Sequence, residues 1–298
     1  GLYYRRKGTT KFVNFARGEE DGQHISSEGV YAFCNSDSGV WIGTNLGGLN
    51  FYNFEDKQIS FKANDNPYFK FHNQGIRSLT IDSKGNMWAG TLNGMYRVHL
   101  PSGELTSFGP NSISNHKTKS SVFYYVCELS DGKIWMGTKG DGINIYDPNT
   151  DKVNSLYVDG LLKGKDVYGI IEGRNNNTWI TTSDGLILYN VKANTSRRFI
   201  ITDGIQGNLF NPRAVFKDSE EHIYLGGTNG FTQIEPGKVK ENTRAPNVLI
   251  SNMQVNDRRF VPSQLAVNHF SQITLNPDET TVKFDFSADN YLLSLIHI

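Results

Sequence analysis

Short runs of β-branched and aromatic residues alternate along the chain with turn-forming Gly, Asn and Asp, and no window sustains the 3.6-residue apolar period of a helix. On that background one tetrapeptide returns: Trp41-Ile42-Gly43-Thr44, Trp88-Ala89-Gly90-Thr91, Trp135-Met136-Gly137-Thr138, Trp179-Ile180-Thr181-Thr182 and a weakened Tyr224-Leu225-Gly226-Gly227. Its first positions, 41, 88, 135, 179 and 224, differ by 47, 47, 44 and 45. A spacing of that size marks a repeat architecture.

Each period reads the same way internally. A β-rich run comes first, as in Val30-Tyr31-Ala32-Phe33, Ile76-Arg77-Ser78-Leu79, Phe123-Tyr124-Tyr125-Val126, Val167-Tyr168-Gly169-Ile170 and Arg213-Ala214-Val215-Phe216. Turn residues such as Asp82-Ser83-Lys84-Gly85-Asn86 or Ser130-Asp131-Gly132-Lys133 join it to the tetrapeptide. A second turn follows at Gly47-Gly48, Asn93-Gly94, Asp141-Gly142, Asp184-Gly185 or Asn229-Gly230, because Gly and Asn accept the positive φ of tight hairpins. A third strand (Ile143 to Tyr146), a turn at Asp147-Pro148-Asn149 and a fourth strand near Val153 to Val158 complete the unit. Four antiparallel strands in about 45 residues make a β-propeller blade. The Trp column is assigned to the space between blades, and the Gly beside it to close backbone approach.

The predicted fold is therefore all-β: a propeller over residues 1–245, followed by an incomplete β-sandwich over 246–298. The chain is expected to start inside a blade, with strands at Leu2 to Tyr4 and Phe12 to Phe15. Five blades follow at about 25–60, 72–110, 119–158, 164–201 and 209–240, with Gly204 to Asn208 as a polar lead-in to the last. Pro246 ends the periodicity. Beyond it, Val248 to Val255, Ile273-Thr274-Leu275 and Thr281 to Phe286 read as strands, and Leu292 to Ile298 as an abrupt stop. About 50 residues are too few for a whole sandwich, which takes about 100.

Composition changes this picture little. The 298 residues carry 30 Lys plus Arg against 30 Asp plus Glu, so there is no basic field for nucleic acid or an anionic membrane. Arg5, Arg6, Lys7 and Lys11 form one local basic cluster, read as a solvated hairpin. No apolar run approaches the roughly 20 residues that span a bilayer. The two cysteines, Cys34 and Cys127, fall in one inner-strand column two blades apart, too far for a disulfide, and are predicted to be buried free thiols.

The seven histidines show no metal-ligand spacing, and Gly137 to Gly142, which has the look of a phosphate loop, lies between two strands with no helix after it. No cofactor and no metal is expected. One column does suggest a binding surface: Tyr31, Arg77, Tyr124, Tyr168 and Arg213 each begin an inner strand, beside the channel mouth. Aromatic rings stack on sugar C–H faces, and guanidinium groups bind hydroxyls or a uronate carboxylate. The competing reading has the Tyr rings packed between blades and the Arg paired with Asp or Glu.

The Trp-Ile-Gly-Thr column followed by Gly-Leu, an aromatic strand and an Asp-Pro turn resembles the regulator-propeller repeats of bacterial (Bacteroidetes-type) hybrid two-component sensors. The last blade extends the likeness, in Asn211-Pro212-Arg213-Ala214, Tyr224 to Phe231 and Ile234-Glu235-Pro236, then Pro246-Asn247-Val248. That order is similar to the junction with such a sensor's tyrosine-rich, immunoglobulin-like domain, and the likeness covers residues 1 to about 290. It departs after Tyr291, where further strands of that domain should follow. The resemblance implies a periplasmic, non-catalytic sensor of oligosaccharides, working as a homodimer. A membrane helix would link it to a histidine kinase, receiver and DNA-binding domain, none of them in this chain. A polysaccharide or antibiotic lyase and a protein-interaction scaffold are the alternatives on the same fold. The chain has no Trp-Asp pair of the kind usual in cytosolic interaction propellers.

Overall fold

The computed structural model describes residues 1–18, 22, 24–61, 75–158, 160–235, 238–239, 248–256, 258–259 and 274–288. Two compact units divide the chain, Gly1–Val239 and Lys240–Leu295. The predicted boundary at Pro246 and the predicted stop at Leu292 to Ile298 lie outside the described residues.

The first unit is a stack of antiparallel meanders, each in chain order. It opens with a half-blade, β1 (Leu2–Arg5) and β2 (Phe12–Phe15). Blade 1 holds β3 (Val30–Ser36), β4 (Gly39–Thr44), β5 (Gly48–Asn53) and β6 (Ile59–Ser60). Blade 2 holds β7 (Ile76–Ile81), β8 (Asn86–Thr91), β9 (Gly94–His99) and β10 (Glu104–Phe108). Blade 3 holds β11 (Phe123–Glu128), β12 (Ile134–Thr138), β13 (Ile143–Asp147) and β14 (Lys152–Leu156). Blade 4 holds β15 (Val167–Glu172), β16 (Asn177–Thr182), β17 (Gly185–Asn190) and β18 (Thr195–Phe199). Blade 5 shows β19 (Phe210–Lys217), β20 (Ile223–Gly227) and β21 (Gly230–Ile234) among the described residues. The inner strands β3, β7, β11, β15 and β19 adjoin one another in that order. This is the predicted propeller.

The repeated tetrapeptide has a job at each letter. Trp41, Trp88, Trp135 and Trp179 are all buried, and Trp88 meets Tyr146 of the next blade with ring centroids 5.3 Å apart. Trp135 reaches Tyr189 of its next blade in the same way. The glycine that follows leaves room for a neighbouring inner strand: a Cβ on Gly43 would lie 2.5 Å from Ile76, and one on Gly137 2.8 Å from Val167. Blade 4 has Thr181 in that place, and the small residue moves to its cross-strand partner Gly169, where a Cβ would meet Val215 at 2.4 Å. The final Thr is fully buried in four blades and donates its hydroxyl across the following turn, Thr44 to Gly48 O, Thr91 to Gly94 O, Thr138 to Gly142 O and Thr182 to Gly185 O, each at 2.8 Å. Those accepting glycines have φ of 71°, 121°, 64° and 97°, which explains the Gly in each second turn.

Four expectations are adjusted. Phe33, in the column where Leu79, Val126 and Ile170 are buried, is 57% exposed, because the two-stranded half-blade presents no inner strand to cover it. The stretch Gly204 to Asn208 is a buried plug and not a polar surface loop: Ile205 is 1% exposed, and Gln206 donates to Leu209 O and accepts from the Asn229 N–H. Cys34 and Cys127 are free but only half-buried, and burial pushes both thiols up. In the second unit, β22 (Val248–Val255) pairs antiparallel with β24 (Val282–Ala288) and with a short β23 (Arg258–Arg259). Thr274 and Leu275 belong to no strand, since the chain turns at once through Asn276 and Pro277, closed by the Glu279 N–H on Asn276 O.

Candidate functional site at the channel mouth

The five column residues share a backbone feature that the sequence did not announce. In β3, Val30 faces Thr44 and Ala32 faces Gly43, so Tyr31 is an extra residue with no partner in the ladder. Arg77 between Ile76 and Ser78, Tyr124 between Phe123 and Tyr125, and Tyr168 between Val167 and Gly169 stand at the same irregularity. In β19 the pairing jumps from Phe210 with Gly227 to Val215 with Leu225, and Arg213 lies inside that longer bulge at φ 64°. A bulge turns a side chain out of the pleat, and here it recurs at the same position of each inner strand. A signal was available: Ile76 and Leu79, Phe123 and Val126, and Val167 and Ile170 are all buried pairs three residues apart, a spacing that a regular strand of period two cannot bury on one face.

The structure brings the five together in two groups. On one side the Arg77 and Arg213 guanidinium carbons stand 4.2 and 5.2 Å from the centre of the Tyr31 ring. Arg213 Nη1 donates to the Arg77 carbonyl at 2.9 Å although β19 and β7 are 136 residues apart in sequence, and Arg77 Nη2 donates to Asn45 Oδ1 at 3.3 Å. Burial first, and then the charge of Arg77, hold the Arg213 guanidinium below its usual value. On the other side Tyr124 and Tyr168 meet edge to face at 5.5 Å, and the Tyr168 hydroxyl donates to Asp166 Oδ2 at 3.4 Å. Burial pushes both phenols up, Asp166 adds to this, and Arg77 opposes it at Tyr124.

Of the two readings offered for the column, the Tyr rings follow the bland one in part, since Tyr124 and Tyr168 stack across blades 3 and 4. The arginines do not follow it: among the described residues neither Arg77 nor Arg213 pairs with a carboxylate. Sequence reasoning missed Asn45 and Asp166, which lie in connecting segments beside the inner strands; the Asn45 N–H on Gly29 O and the Ser183 N–H on Asp166 O are one bond repeated in the blades, so both positions belong to repeat columns whose side chains vary. No histidine among the described residues is hydrogen-bonded or stacked to the cluster. His116 sits instead between blades 2 and 3, bonded to Asp151 at 2.9 Å and stacked on Phe108. The chemistry available is aromatic stacking, cation binding of an oxyanion and hydrogen bonding, with a single carboxylate at the edge.

A family model for the two component regulator propeller matches residues 70–93, the stretch containing β7, β8 and the second tetrapeptide. That stretch of blade 2 is similar to a regulator-propeller repeat. Histidine kinase P4 of Formosa agariphila is 25% identical over 267 residues, which is 85% of this chain and only 19% of that protein. The extracellular domain of a hybrid two-component system from B. thetaiotaomicron superposes with a TM-score of 0.56 at 18% identity, over 74% of this chain and 28% of that chain. A second such domain from the same organism gives 0.52 at 17% identity, over 89% and 42%. A catalytically inactive virginiamycin B lyase from Staphylococcus aureus, solved with quinupristin, gives 0.51 at 18% identity over 76% of each chain. The propeller thus shares its fold both with extracellular domains of hybrid two-component systems and with a lyase. No helix among the described residues is long and apolar enough to cross a membrane.

Proposed function

We propose that this regulator propeller is a non-catalytic, periplasmic sensor piece of a hybrid two-component receptor, binding an oligosaccharide at the channel mouth. In this reading the second unit is the opening of an immunoglobulin-like domain. It passes the signal through a membrane helix to histidine kinase and response-regulator domains further along the polypeptide, within a homodimer. The likeness to extracellular two-component domains supports the receptor class. The observation that carries the ligand reading is the convergence of Tyr31, Tyr124 and Tyr168 with Arg77 and Arg213, every one on a ladder irregularity. Such a mouth offers ring faces and donor forks, and among the described residues no facing acid and base pair of the kind hydrolysis or elimination requires.

The test is calorimetry and thermal shift of the purified chain against plant, host and microbial oligosaccharides. Binding without turnover, lost in Tyr124→Ala and Arg77→Ala, supports the reading. Product accumulating in the same tubes replaces it with an enzyme, and absence of any sugar binding overturns it.

A further inference from the structure

We infer that the ligand of the channel mouth is an acidic saccharide whose carboxylate or sulfate group is held between Arg77 and Arg213. This rests on the sugar-binding reading above and narrows it. Two other guanidinium groups of the propeller pair with carboxylates, Arg174 with Glu221 and Arg198 with Asp184, while Arg97 donates to the neutral oxygens of Tyr146 and Thr106. At the mouth two are brought over one Tyr ring and joined by a bond from Arg213 to the Arg77 backbone, with Asn45 as the one side-chain oxygen acceptor among the described residues. Arg213 Nε is buried and has no acceptor among the described residues. Like charges gathered without a counter-charge cost free energy that an oxyanion would return, and the planar fork of guanidinium matches carboxylate and sulfate geometry.

The backbone points the same way. Arg213 holds φ at 64°, a region that long side chains enter rarely. The one carboxylate of the cluster, Asp166, is on the Tyr124 and Tyr168 side, hydrogen-bonded by the Tyr168 hydroxyl. The mouth is therefore polarised, with its cationic edge beside Tyr31, which is 39% exposed. A sugar ring lying against the tyrosines would present its acidic substituent to the two arginines.

The experiment is titration calorimetry at physiological ionic strength with two matched pairs: oligogalacturonides against the same oligomers methyl-esterified, and a sulfated oligosaccharide against its desulfated form. Inorganic sulfate is titrated alone as well. The expected result is that one acidic member binds at least about tenfold tighter than its neutral counterpart. Arg77→Gln and Arg213→Gln each remove that preference, while Arg5→Gln, a change at an exposed cation of the half-blade, leaves it. Thermal melts establish folding, and if Arg213→Gln does not fold, Arg77→Gln decides. Equal binding of neutral and acidic members, or a preference that survives Arg77→Gln, overturns the inference and leaves sugar sensing standing. Sulfate binding that depends on Arg77, with no saccharide bound, keeps the anion site and overturns sugar sensing. No binding in any cell overturns both.

Discussion

Glu172 of blade 4 accepts two hydrogen bonds from Ser130 of blade 3, one from the backbone N–H at 2.9 Å and one from the hydroxyl at 2.5 Å. Glu128 of blade 3 holds Ser83 of blade 2 in the same way, at 2.7 and 2.6 Å. Each clasp ties the end of one inner strand to the first turn of the preceding blade. Between blades 4 and 5 the device changes to the Arg174 and Glu221 ion pair, with Lys217 Nζ on Glu172 O. Glu172→Ala is expected to lower unfolding stability by about 1 kcal/mol, since charge-assisted bonds at exposed sites are discounted by water. Urea denaturation measures it, and Ser130→Ala added to Glu172→Ala should cost little more, because the two act as one unit.

Two threonines of β16 should respond oppositely to the same change. Thr182 donates to Gly185 O at 2.8 Å and accepts from the Asp184 N–H at 3.0 Å, fully buried. Thr182→Val strands both partners and is expected to cost about 1–3 kcal/mol. Thr178 is equally buried, yet its hydroxyl has no partner. Thr178→Val should be neutral or stabilising in the same denaturation series.

Gly137→Ala is expected to destabilise by about 1–3 kcal/mol, because its Cβ would press on Val167 Cγ1 at 2.8 Å and Val167 O at 3.0 Å. Val167→Ala removes the first contact and not the second. The double variant should therefore recover part of the loss expected from adding the two single costs, and full additivity would show that the two blades do not meet there.

Acid should weaken the propeller partly through Asp184. The hydrogen bond from Lys165 holds its carboxyl below the ordinary 3.8, and the charges of Lys165 and Arg198 add to this against partial burial. A depressed folded value means the stabilisation is complete above the unfolded value and is lost as pH falls through the folded one. Denaturation midpoints measured downward from about pH 5 should fall less steeply in Asp184→Asn than in the parent. An unchanged slope would remove Asp184 from the acid response.

The blades were legible because their determinants are local and repeated: a Trp, a Gly and a Thr at fixed spacing, and turn glycines that the φ values explain. The column Tyr31, Arg77, Tyr124, Tyr168 and Arg213 was legible for the same reason, as each lies near the head of an inner strand. What could not be read was long-range. The bond from Arg213 to Arg77 spans 136 residues, and no neighbour in sequence signals it. Asn45 and Asp166 join from connecting segments whose positions recur in the other blades, at Leu92 and Gly75 for example, but with side chains of other chemistry. The buried plug at Gln206 was hidden by its polar composition, since its partners, Thr232 Oγ1 and the Asn229 N–H, come from blade 5.

The bulges separate two kinds of selection. A residue within the ladder is answerable to its cross-strand partner and to the next blade, so changing Ile76 or Gly43 disturbs an interior contact. Tyr31, Arg77, Tyr124 and Tyr168 have no ladder partner, and what stands there is not dictated by the sheet. Those four positions can thus be rewritten with less consequence for the frame than their neighbours in the ladder. A propeller built this way can change what it displays at the head of its inner strands while its scaffold stays fixed.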